Sequence, residues 1–196
     1  MRKPRPRLIV MVKEPRPGRV KTRLGQEIGM VDAAWWFRHR VRRLLREIRD
    51  PRWQVILAVS PDVAVQSRAW PADLARIPQG RGDLGARMRR LLALPGKGPI
   101  VLIGGDIPGI RRHHVAAAFS ALGANRAVFG PASDGGFWLV GWKAPPAPPP
   151  GLFEGVRWST PHALSESLAT LPGPPPALIE TLDDVDTAAD LARFGA

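Results

Sequence analysis

An α/β domain with a mostly parallel sheet is the fold class that three observations predict. Short, near-continuous Val/Ile/Leu runs recur along the chain, segments of helical periodicity separate them, and acidic or glycine-rich turns stand where the runs end. Such runs are the mark of strands buried on both faces, and their alternation with helices places helices on both sides of one sheet. At 196 residues the chain suits a single domain, residues 1–196, around one core. In sheets of this class the ligand lies outside the carboxyl ends of the strands. The turns that follow the runs are therefore where chemistry is expected.

In chain order, "RLIVMVK" (residues 7–13) reads as the first strand, and "WQVILAVS" (53–60), the weaker "DLARIP" (73–78), "PIVLIGGD" (99–106), "RAVFGP" (126–131), "GFWLVGW" (136–142) and "ALIETL" (177–182) as the rest. Between the first two, Ala34, Phe37, Val41, Leu44, Leu45 and Ile48 recur at helical spacing, which predicts a helix over about 31–49 with arginines on its other face. Further helices are expected from Asp83, Arg111, Thr160 and Asp186, most with a Ser, Thr or Asp available as cap. "KAPPAPPPG" (143–151) and "LPGPPPAL" (171–178) continue neither helix nor sheet and read as extended loops within the domain.

Composition removes several classes. The absence of cysteine excludes disulfides, thiolate nucleophiles and Cys-ligated zinc, and it permits a cytoplasmic setting. No stretch approaches the roughly 20 apolar residues that cross a bilayer. The net charge of +12 suits nucleic acid, a phosphorylated substrate or an anionic surface, although the arginines are scattered along the chain.

Four turns carry candidate chemistry. "GGDIPG" (104–109) places Asp106, a hard oxygen ligand for Mg²⁺ or Mn²⁺, after the strongest run; the alternative is that Asp106 caps the helix near Arg111. "GPASDGGFWLVG" (130–141) brings Asp134 to a strand end, where it could join Asp106 around a metal while Gly135 and Gly136 offer backbone N–H groups; Phe137 reads as core and Trp138 as wall. "PQGRGDLGARM" (78–88) opens a helix whose N-terminal N–H groups could take a phosphate or a base edge. "KEPRPGRVKTRL" (13–24) has the layout of a phosphate loop without being a Walker A sequence: Lys21 as a point charge, Arg23 and Arg16 as bidentate grips, and a solvated basic loop as the alternative. In "LDDVDTAADL" (182–191), Asp186 reads as a helix cap and Asp184 as a possible further metal acid, whereas His113 and His114 have no ligand partner at metal spacing and read as helix surface.

Taken in order, "VMVKEPRPGRVKTRL", "QGRGDLGARM", "IGGDIPGI", "GPASDGGFWLVG", "VRWSTPHAL" and "DDVDTAADL" resemble the blocks of a bacterial family of nucleotide-diphospho-sugar transferases. That family is often labelled as glycosyltransferases of the arsenosugar-biosynthesis type and was long a domain of unknown function. The resemblance implies a single-domain GT-A, Rossmann-like three-layer fold shared with the molybdopterin guanylyltransferases and phospholactate guanylyltransferase. Position by position, it implies nucleotide contacts from Lys13, Gly18, Lys21, Arg23, Gln79, Gly80, Asp83 and Arg87, and an acceptor side formed by Gly135, Gly136, Trp158, Ser159 and Thr160. It also implies a metal at Asp106, with Asp134 beside it, and Lys21, Asp106 and Asp134 as the catalytic set.

Three readings follow. The first is a Mg²⁺- or Mn²⁺-dependent glycosyltransferase using a nucleoside-diphosphate sugar. The second keeps the site and moves the reaction to the α-phosphate of a nucleoside triphosphate, with release of pyrophosphate. The third is a basic nucleic-acid-binding protein, which lacks a recognised motif and whose cations are not interleaved with aromatic residues as stacking platforms require.

Overall fold

Alternate side chains of a strand point to opposite faces of the sheet, and that period divides the apolar residues of this chain into two cores. The computed structural model describes residues 4–183, 185 and 187–193. The first run is strand β1 (Arg7–Lys13), and the chain continues through helices α1 (Thr22–Ile28) and α2 (Met30–Glu47) to β2 (Gln54–Ser60) and β3 (Ala75–Pro78). Helix α3 (Leu84–Leu92), β4 (Ile100–Gly104), α4 (Arg112–Ala124), β5 (Ala127–Pro131), β6 (Phe137–Trp142), α5 (Ala163–Ala169), β7 (Ala177–Leu178) and α6 (Ala188–Arg193) follow. The sheet order is β3-β2-β1-β4-β6-β5-β7.

Leu8, Val10 and Val12 of β1 face one side, where they join Leu57 and Val59 of β2, Phe37, Val41 and Leu44 of α2, and Val115, Ala118 and Leu122 of α4. Ile9 faces the other side with Ile56, Ile100 and Leu102, under Met88, Leu91 and Leu92 of α3 and under Leu152 and Phe153. Each of these large side chains removed from water contributes about 1.5–3 kcal/mol before entropy is counted. The arrangement is the expected three layers, helices on both faces of one sheet.

β1 pairs in parallel with β2 and β4, β2 with β3, and β5 with β7. β6 runs antiparallel between β4 and β5. Because Ile103 of β4 faces Leu139 of β6, the turn that precedes Phe137 comes to the edge where β4 ends. The carboxyl ends of β1 and β4 and the turn before β6 therefore line one edge of the sheet in that order.

The differences from the sequence reading are local. In the run at 177–182 regular strand spans Ala177–Leu178, and the Ile179 and Leu182 N–H groups donate to the Phe129 and Pro131 carbonyls beyond it. The helix expected from Thr160 begins at Ala163, and the one expected over 31–49 covers Met30–Glu47, with a separate short helix before it. Asp184 and Asp186 lie outside the described residues.

Candidate active site

The segment after β1 has to turn from a strand into α1 within a few residues, and Lys21 is where it does so. Its backbone lies at φ 45°, ψ 49°, the left-handed region that a non-glycine residue enters only at some expense. That turn delivers its ammonium to the end of β4, where Nζ lies 2.8 Å from Asp106 Oδ2. The Lys21 side chain is only 6% exposed, against 32% for Asp106, so the cation is the sheltered partner and the carboxylate faces solvent. Asp106 does not cap α4; Arg111 occupies that position, its backbone N–H donating to His114 Nδ1 at 2.9 Å.

The loop carrying Asp106 is fastened from below. The Gly105 N–H donates to the Met11 carbonyl, tying the end of β4 to β1. Arg40, buried on α2, donates through Nη2 to the Ile107 and Pro108 carbonyls, and Arg111 donates to the Pro108 carbonyl while pairing with Glu47 at 2.7 Å. Burial lowers the Arg40 guanidinium from its ordinary value, partly offset by Glu47 and reinforced by Arg111 and Arg43. Sequence reading missed Arg40: its position among the apolar residues of α2 is the one signal that it points inward.

These elements surround a cleft of about 620 Å³, within the range of small-molecule sites. Of the residues expected to act, Lys13, Lys21, Arg23, Gln79, Asp106, Asp134, Gly136, Trp158, Ser159 and Thr160 line it. Arg19 joins them, a cation the sequence reading did not single out.

Gly18, Gly80, Asp83, Arg87 and Gly135 are not part of that lining, and most have other work. Asp83 accepts the Ala86 N–H at 2.8 Å, so this acid itself caps the α3 N-terminus where a phosphate was expected. The Gly80 N–H donates to Asp62 Oδ1, and Arg87 Nε donates to the Gly82 carbonyl. Gly135, at φ 85°, leaves room for the Pro161 carbonyl, which a β-carbon would strike. Arg16 pairs with Glu14 at 2.6 Å instead of reaching the cleft.

Gln79 lines the cleft but is 4% exposed, and its amide N–H groups go to the Val12 and Ala58 carbonyls, which fixes the ends of β1 and β2. Asp134 accepts the Gly136 N–H at 2.9 Å, a turn that holds its carboxylate at the β6 side of the opening. Phe137 and Trp138 both line the cleft, so Phe137 adds to the wall the sequence reading expected of Trp138 alone. Trp138 is buried with its Nε1 donating to the Glu180 carbonyl, whereas Phe137 belongs to the aromatic wall of the cleft with Phe153 and Trp158.

His114 is also a correction: it is 5% exposed, and Glu180 accompanies it. His113, His114 and Glu180 bring ligand-type atoms within 4.8 Å of one another. His114 Nδ1 accepts the Arg111 N–H, so Nε2 carries the ring proton and faces Glu180 Oε2 at 3.2 Å. Both nitrogens are engaged, and a protonated nitrogen offers a metal no lone pair. The group is a hydrogen-bonded clasp between α4 and the segment after β7. Asp106 is the better cation ligand: an accessible hard carboxylate, open to the cleft on its solvent side.

Comparison with known proteins extends this picture. No curated protein matches the chain significantly. A crystal structure from Desulfovibrio desulfuricans G20, provisionally assigned as a nucleotide-diphospho-sugar transferase, superposes with a TM-score of 0.83 at 29% identity, covering 95% of this chain and 84% of that one. Rv0371c from Mycobacterium tuberculosis H37Rv, solved in complex with manganese, matches at TM-score 0.54 and 19% identity over 98% of both chains. The 4-diphosphocytidyl-2C-methyl-D-erythritol synthase of Anaerococcus prevotii DSM 20548 has the same fold at TM-score 0.54 and 9% identity, covering 97% of this chain and 94% of that one. The family described as uncharacterized protein conserved in bacteria (DUF2064) matches residues 44–160, a span that holds Asp106, Asp134 and Trp158 and begins downstream of Lys21. With more than half of its length so matched, the chain belongs to that family.

Proposed function

We propose that the protein is a nucleotide-dependent transferase that moves a glycosyl group from a nucleoside-diphosphate sugar to an acceptor hydroxyl, in a cytoplasmic setting. The observation that carries this reading is the Lys21–Asp106 pair at the carboxyl edge of the sheet, inside a cleft whose lining cations among the described residues are Lys13, Arg19, Lys21 and Arg23. The provisional assignment of the D. desulfuricans protein agrees with it.

Lys21 and Arg23 would hold the diphosphate, whose negative charge grows as it leaves. The acceptor oxygen attacks the sugar carbon, and the bond from that carbon to the diphosphate oxygen breaks with its electron pair staying on the nucleotide. The acceptor proton passes to water. Asp106, with Asp134 as a second oxygen donor, would hold Mg²⁺ or Mn²⁺, which supplies Lewis-acid neutralisation of the diphosphate. Arg40 would keep Asp106 at its post through the carbonyls of the next two residues.

The second reading, nucleotidyl transfer from a nucleoside triphosphate, is favoured by the basic segment behind β1 and by the fold shared with the A. prevotii synthase. A panel of nucleoside triphosphates with a pyrophosphate-release assay, run beside a panel of sugar nucleotides assayed for nucleoside diphosphate, separates the two. Diphosphate release that depends on Asp106 is the expected result; pyrophosphate release alone replaces the first reading with the second.

A further inference from the structure

Helix α2 turns Ala34, Phe37, Val41, Leu44 and Leu45 toward the core. At 3.6 residues per turn, Val31, Trp35, Arg38, His39, Arg42 and Arg46 fall within about 100° of arc on the other side, a stripe about 22 Å long. All six are exposed.

Most of the charge on this stripe is uncompensated. Of the five arginines of α2, Arg40 is buried beneath the Asp106 loop and Arg43 pairs with Glu47 at 2.9 Å. Glu47 also takes Arg111, so the acid at the end of the helix is shared by two cations. Arg38, Arg42 and Arg46 have no hydrogen-bond or ion-pair partner among the described residues. Spaced four residues apart on one face, they repel one another, and an anionic surface laid along the helix would relieve that repulsion.

The same stripe exposes apolar surface at its first two turns. Val31 is 67% exposed and Trp35 63%. His39 donates through Nδ1 to the Trp35 carbonyl at 2.8 Å, and its ring lies 3.7 Å from the indole, so the posture of the indole is already set against the helix. Binding through it therefore orders little that is not ordered beforehand.

We propose that this face of α2 docks the protein reversibly onto an anionic lipid bilayer. The proposal is independent of the reaction proposed for the cleft. Arginine stems lie along apolar surface while their heads reach phosphate, and tryptophan is the side chain favoured at the level of lipid headgroups. Val31 distinguishes lipid from nucleic acid: an aliphatic side chain fits hydrocarbon and offers nothing to a base or a phosphate. A folded protein partner would have to match about 800 Å² of shaped surface, whereas a fluid bilayer conforms to a convex helix. No helix among the described residues is long and apolar enough to cross a membrane, so the contact is one of surface with surface.

The test is co-sedimentation of the whole chain with vesicles of phosphatidylcholine alone and of phosphatidylcholine mixed equally with phosphatidylglycerol. The mixed vesicles should bind the protein, and salt should weaken that binding. Replacing Arg38, Arg42 and Arg46 together by glutamine should lower the partition coefficient roughly a hundredfold, at about fivefold for each arginine near an anionic leaflet. Trp35→Ala should lower it several-fold, and that loss should persist at high salt because it is apolar in origin. A second triple variant, Arg68→Gln, Arg81→Gln and Lys97→Gln, removes the same net charge from exposed positions elsewhere and should leave binding nearly unchanged. All the substituted side chains are exposed, so none of the variants removes core packing. Equal losses in the two triple variants would reduce the effect to the overall charge of the chain and overturn the proposal. No binding to the mixed vesicles would overturn it as well, and so would tighter binding to single-stranded RNA that the α2 triple variant abolishes.

Discussion

Lys21 combines a strained backbone with a sheltered charge, and the two can be separated by substitution. Glycine accepts φ 45° where alanine does not, so Lys21→Gly should be more stable than Lys21→Ala by about 1 kcal/mol. Both should lose the same nucleotide affinity, roughly tenfold or more, since a hydrogen bond to a charged group contributes about 1.5–3 kcal/mol. Thermal unfolding and calorimetric titration with nucleoside diphosphates measure the two effects. Unchanged affinity would return the segment to a solvated basic loop. The ionic character of this residue was legible in the sequence, as was its place behind the first strand. Its partner was not, because Lys21 and Asp106 are brought together only by the parallel pairing of β1 with β4.

Elements held by one tight contact give the next predictions. The seat of α3 against the aromatic wall depends on Gly85, and Gly85→Ala should destabilise the fold by about 1–3 kcal/mol. It should also shift the tryptophan fluorescence, because the added methyl presses on Trp158. The clasp on α4 should respond to pH. Burial lowers the His114 pKa below the ordinary 6.5, His113 lowers it further, and Glu180 opposes the shift without reversing it. In the window between the depressed folded value and 6.5 the unfolded chain binds the proton more readily, so stability rises with pH there. The contribution is complete above 6.5 and is lost as pH falls through the folded value. His114→Gln should flatten that limb of a plot of Tm against pH; an unaltered slope would show that other groups produce it.

At the scale of the molecule, the α/β class and the helices on both faces of one sheet follow from patterns visible along the chain: continuous apolar runs, helical spacing over about 31–49, and turns at the run ends. That Phe137 joins the cleft wall was not visible, since in an apolar run covered on both sides either face can be the wetter one. Nor could the duty of Gln79 be read, because a buried glutamine looks like any loop glutamine until the strand ends it ties are known. The charge of +12 has a surface outlet: Arg38, Arg42 and Arg46 stand exposed on α2, beside an exposed Trp35 that packs against His39 at 3.7 Å. This is closer to a stacking arrangement than the sequence suggested, yet it sits on a convex helix and not in a groove. Binding to single-stranded nucleic acid should therefore be weak and should fade between 50 and 200 mM salt, roughly in proportion to the few phosphates neutralised. Tight binding with a steep salt slope, followed by fluorescence anisotropy, would bring the nucleic-acid reading forward.

The bridge between Lys21 and Asp106 also sets an order of events. While the ammonium lies 2.8 Å from Oδ2, the carboxylate already has a counter-charge, and a free divalent ion arriving alone must displace or share it. A nucleotide changes the terms, because its phosphates offer the ammonium a new partner and release the carboxylate. Metal and nucleotide should then arrive together, each raising the affinity of the other. Lys21→Met should raise the affinity for Mn²⁺ alone, read from the electron paramagnetic resonance of the free ion, and should abolish the dependence of that affinity on nucleoside diphosphate. On the transferase reading proposed above, this lysine would keep the resting protein indifferent to metal until a nucleotide is present.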